Sequence, residues 1–76
     1  MNATQLQITT QLSISALKSA IFRLNDAIDC LKTCDEKPNT QLLNASNDCY
    51  NAITYILNAK ERIDRCYEQN HPRIDK

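Results

Sequence analysis

The sequence predicts an all-α fold, an antiparallel two-helix hairpin that dimerises into a four-helix bundle. Three observations predict it. Apolar residues recur at alternating steps of three and four, at Ile14, Leu17, Ile21, Leu24, Ile28 and Leu31, the spacing of one helix face and not of a strand. The chain has no glycine and only two prolines, which leaves little material for a turn-rich architecture. One of the prolines, Pro38, stands near the middle, where it disfavours helical geometry at Lys37 and withholds a backbone donor.

The first helix is expected over about 4–36. In heptad terms Ile occupies a and Leu occupies d, whereas Ile8 and Leu12 fall off that stripe, so residues 1–9 are expected to fray or to pack elsewhere. Asn2, Thr4 and Thr9 are candidate N-caps. A turn at 37–39 follows, with Asn39 or Thr40 expected to cap a second helix over about 40–69 and a loose tail at 70–76. The seam of the second helix reads Leu42, Ser46, Cys49, Ile53, Ile56, Lys60, Ile63 and Tyr67.

Beside each seam runs a column of small residues at heptad g. These are Ser13, Ala20, Ala27 and Cys34 in the first half, and Ala45, Ala52, Ala59 and Cys66 in the second. Folding the chain back near Pro38 sets Ala20 against Ala59, Ala27 against Ala52, Cys34 against Ala45 and Ser13 against Cys66. Small facing small permits a close interhelical approach. The apolar Ile/Leu seam is expected to hold the hairpin together, with the small column setting register and distance. Leu43, Tyr50 and Leu57 at heptad e make the second helix more apolar than one partner helix can cover. A chain of this size generally needs a staple, and a homodimer is the expected one.

Charge and composition exclude several functions. Nine Lys/Arg balance nine Asp/Glu, so a general attraction to nucleic acid is absent. Residues 1–17 carry no charge and 38–59 carry only Asp48, a depletion that suits a buried contact surface. No run reaches the ~20 apolar residues of a membrane span, and no basic segment precedes an apolar one near Met1. The expectation is therefore a cytoplasmic chain with reduced thiols, in which Asn2-Ala3-Thr4 and Asn44-Ala45-Ser46 match the glycosylation pattern by chance.

Cysteine is the one residue type with chemistry to offer. Cys30 and Cys34 lie one turn apart and Cys49 lies across the hairpin, so three thiols could gather near the turn as weak metal candidates. Cys66 is roughly 25 Å further along the second helix. The ligand set is incomplete for structural zinc, and neither metal nor cofactor is expected. An oxidising compartment would favour a Cys30–Cys49 disulfide. A reducing one makes Cys34, Cys49 and Cys66 small buried hydrophobes and Cys30, at heptad c, the exposed reactive thiol.

No catalytic set emerges, since the lone His71 lies beyond the helices, and no enzyme is expected. Asp26/Asp29 and Asp35/Glu36 read as solvated helix faces. Lys60 on the seam suits a device that specifies register or oligomer state. Phe22, with Arg23 beside it, is a candidate anchor for a partner. In outline the hairpin resembles the plasmid proteins that bind paired RNA loops, but the basic stripe is reduced to Lys18 and Arg23 beside Phe22. The functional expectation is a small interaction protein, similar in composition to phage and plasmid accessory proteins, that regulates or inhibits a larger protein partner. Its contact residues would be Leu43, Tyr50, Leu57, Phe22 and Arg23. The alternatives are an oligomer sequestering a small ligand or metal, and a hairpin RNA-binding regulator.

Overall fold

A computed structural model describes residues 2–70, and all the structure below refers to them. Two helices, α1 (Ala3–Lys32) and α2 (Pro38–Asn70), pack antiparallel along one another and account for every tertiary contact. The hairpin is a rod, 58 × 27 × 12 Å, with a radius of gyration of 17.3 Å, against about 11 Å for a compact domain of this length. Residues 71–76, expected to be a tail, lie outside the described residues, while Asn70 closes α2.

Asn2, of the three candidate caps, starts α1. Its side-chain oxygen accepts from Gln5 N at 2.8 Å, and the Gln5 side chain accepts from the Asn2 backbone N–H at 3.5 Å. That reciprocal pair satisfies two of the donors a helix start leaves over. The opening turns, expected to fray, are thus continuous helix from Ala3.

α1 ends four residues before the expected Glu36, and the cause is Thr33. Its hydroxyl donates back to the carbonyls of Asp29 and Cys30 (3.2 and 3.4 Å), while its own N–H is shared between the same two oxygens at 3.3 Å. A threonine bonded this way competes with the regular ladder. Cys34 N and Glu36 N then bond three residues back, to Leu31 and Thr33, tightening the chain into the turn. Gln41 Nε2 donates to Thr33 Oγ1 and ties the two helix ends together. α2 begins at Pro38 rather than at Asn39 or Thr40, and Gln41 N takes the Lys37 carbonyl at 2.9 Å. Proline suits this first helical position because no acceptor awaits an N–H there. Thr33→Ala is expected to cost about 1 kcal/mol, read as a lower urea midpoint with an unchanged slope.

The buried contact between the helices is the small column. Ser13, Ala20, Ala27, Ala45, Ala52, Ala59 and Cys66 are the buried residues, with Ala59 fully enclosed, and no large side chain is fully buried. Cys34 is half-buried at the turn end. The Ser13 hydroxyl donates to Thr9 O at 2.9 Å, so its polar group is satisfied within its own helix.

This corrects the expected role of the apolar seam, which does not lie between the helices. Heptad g is flanked by d on one side and c on the other. Pointing g at the partner helix therefore turns d partly, and a almost wholly, away from the contact. Near the middle of the rod the exposures follow that order: Leu24 and Ile56 at d are each 40% exposed, Ile21 and Ile53 at a 58% and 53%.

Candidate functional site

Antiparallel pairing through g places the c positions of both helices on one side of the rod and the d and a positions on the other. Cross-hairpin contacts establish this directly. Arg23 and Asp48, both at c, approach to 3.7 Å. The Cys30 thiol, also at c, donates to the Asp48 carboxylate at 4.0 Å. An open depression of about 170 Å³ at the far end is lined by Thr9, Leu12, Arg62, Arg65 and Gln69, from the same side. The opposite side is left to the Ile/Leu stripes of both helices.

That side is one broad apolar face. α1 contributes Ile14, Leu17, Ile21, Leu24, Ile28 and Leu31. α2 contributes Leu42, Ile53, Ile56 and Ile63, with Leu43, Tyr50 and Leu57 on its outer edge. Tyr50 is 71% exposed. The charged positions on or beside this face are few. Lys60 Nζ bonds Asp64 Oδ2 at 2.7 Å, one turn along α2. The hydrogen bond to that carboxylate, then its charge, raise the Lys60 pKa above the usual lysine value against some desolvation. Lys18 and Lys32 lie at e on the α1 edge.

The expected contact residues separate into three places. Leu43, Tyr50 and Leu57 share the apolar face. Phe22, at b, is exposed on the outer flank of α1. Arg23 lies on the c side, 3.7 Å from Asp48, rather than on the outer flank with Phe22. Sequence reasoning missed the Arg23–Asp48–Cys30 cluster, although one signal pointed to it. Asp48 is the sole charge in 38–59, and it occupies the heptad position of Arg23 on the other helix.

The thiols also depart from expectation. Cys49, expected to be buried, is exposed at d, whereas Cys30, expected to be the exposed reactive thiol, is half-buried against Asp48. Partial burial first, then the carboxylates of Asp48, Asp26 and Asp29, push the Cys30 pKa up and keep the thiol protonated. Positions c and d open to opposite sides of the rod, so Cys30 and Cys49 are unbridged, and the cluster with Cys34 does not form. Among the described residues no three His, Cys, Asp or Glu side chains converge as metal ligands. Cys49 is expected to react with a thiol-labelling reagent at least about tenfold faster than Cys30 at neutral pH, checked by mass mapping of partially labelled protein.

Two depressions lie at opposite ends of the rod. One is the Thr9–Arg62 hollow; the other is lined by Thr33, Glu36, Lys37, Thr40 and Gln41 at the turn. Neither includes Ser46 or Lys60, the polar side chains on the α2 seam. Among the described residues no helix is long and apolar enough to cross a membrane. Compared with known protein families, curated protein sequences and solved structures, the chain matches none.

Proposed function

We propose that this chain is a non-enzymatic interaction protein whose working surface is the exposed Ile/Leu face, and that it pairs with a second copy through that face as an antiparallel four-helix bundle. In this reading the bundle is a regulator that acts on a larger protein by direct binding. The observation that carries it is the inversion of the usual core: alanines are inside, and the isoleucines and leucines of the heptad stripes are outside. Fully burying a Leu or Ile side chain is worth about 1.5–3 kcal/mol, and a lone hairpin leaves about half of that unrealised for the residues on the face.

Area supports the same conclusion. The chain exposes 5987 Å², whereas a compact monomer of 8.7 kDa exposes about 4,700 Å². The excess, roughly 1,300 Å², exceeds the roughly 800 Å² per partner that a stable interface removes. Large continuous apolar patches on a protein surface mark interaction sites. Sedimentation equilibrium across the micromolar range tests the pairing. A mass twice the 8.7 kDa of one chain is expected, and a monomer persisting into the millimolar range would refute it.

A further inference from the structure

We infer that the two copies pair about a two-fold axis parallel to the helices, laying α1 of each copy along α2 of the other with Lys18 beside the partner's Asp64. This rests on the pairing proposed above and specifies how the second copy sits. A flat face can meet its own copy about two in-plane axes, and both give closed, self-complementary dimers. One runs along the rod and the other crosses it. They differ in which charges meet.

An axis along the rod leaves every residue at its own height. The heights are those of the hairpin, where Ala20 stands level with Ala59 and Ala27 with Ala52. Lys18 therefore comes within about a turn of the partner's Asp64, and both side chains are exposed at heptad e, on the rim of the face. The rest of the rim is also complementary. The e column of α1 is Gln11, Lys18, Asn25 and Lys32, and that of α2 is Leu43, Tyr50, Leu57 and Asp64. Lysine stems lie over apolar neighbours while their ammonium groups stay in water, and Lys32 falls between the partner's Leu43 and Tyr50, where its charge can rest on the ring.

An axis across the rod sets α1 on α1 and α2 on α2. Centring the two apolar stretches then places Lys18 opposite the partner's Lys32 twice along the rim where α1 meets α1. It also presses the Lys60–Asp64 pair onto the partner's Asn44–Asp48 stretch, which offers Asp48 alone as a charge and points it to the other side of the rod. Bringing Leu43, Tyr50 and Leu57 together across the axis is the one gain of that arrangement. Like charges meeting twice along the α1 rim weigh against it.

Charge reversal at low salt distinguishes the two. Lys18→Glu is expected to raise the dimer dissociation constant on the order of tenfold, because two rim attractions become repulsions. Adding Asp64→Lys to the same chain is expected to restore most of the loss, with helicity by circular dichroism unchanged throughout. Tighter pairing by Lys18→Glu, now facing the partner's Lys32, would overturn this arrangement while the dimer itself stands. An unchanged dissociation constant would overturn it as well. A chain that is monomeric in every variant would instead remove the pairing on which the inference rests.

Discussion

Ala59→Leu should split the hairpin. Ala59 is fully enclosed between the helices, and three added carbons have no cavity to enter. Overpacking of this kind costs about 1–3 kcal/mol in a large protein that can redistribute the strain. Here the buried contact between the helices is a single column of small side chains, so the upper end of that range is expected. The readout is a fall in thermal midpoint of about 10 °C or more, given the ~4–8 °C per kcal/mol of domains this small. Ala59→Ser is the control. The column already holds a serine at Ser13 whose hydroxyl bonds back to Thr9, so this variant should stay within about 1 kcal/mol of the parent. If leucine and serine were tolerated equally, the close approach through the small column would be wrong.

The second large effect is expected on the other side of the rod. Ile21 and Ile53, at heptad a, are 58% and 53% exposed and contribute little to holding one hairpin together. Ile21→Asp or Ile53→Asp should therefore leave the hairpin's register unchanged. In the paired bundle each carboxylate would be buried twice, once per copy. At a cost of about 2 kcal/mol or more per buried polar group, the dissociation constant should rise on the order of a thousandfold. Phe22→Asp, on the outer flank of α1, should change it little. Sedimentation measures all three, and equal effects at Ile53 and Phe22 would remove the apolar face from the account. The two sets of variants address different halves of the architecture: alanine positions govern the hairpin and isoleucine positions govern what the hairpin meets.

Much of the hairpin was legible in the sequence. Spacing alone indicated two long helices, Pro38 located the reversal, and the small residues at Ser13, Ala20, Ala27, Ala45, Ala52, Ala59 and Cys66 are the ones the structure buries. Periodicity could not decide which column faces inward. The g column and the a/d stripe share one repeat of seven and differ only in phase, and the usual preference for buried Leu and Ile favours the wrong one. The decisive consideration is distance, because side chains as large as Ile21 and Ile53 would hold apart helices that Ala20 and Ala59 bring together. The early end of α1 was hidden for a different reason. Pro38 is a strong signal for where a helix must stop, whereas Thr33 bonded to its own preceding turn is a weak one that acts first. The same phase error that put a and d between the helices buried Cys49 and exposed Cys30. Both assignments reverse once g is placed at the contact.

The division of labour between alanine and isoleucine also bears on how such a chain can change over generations. In most small domains one set of side chains both maintains the fold and determines what it touches, so recognition drifts only at the expense of stability. Here the two sets occupy different columns of the same helices and have only the backbone in common. Mutations along the outer stripes can accumulate, exchanging one affinity for another, while the alanine column holds the hairpin in register beneath them.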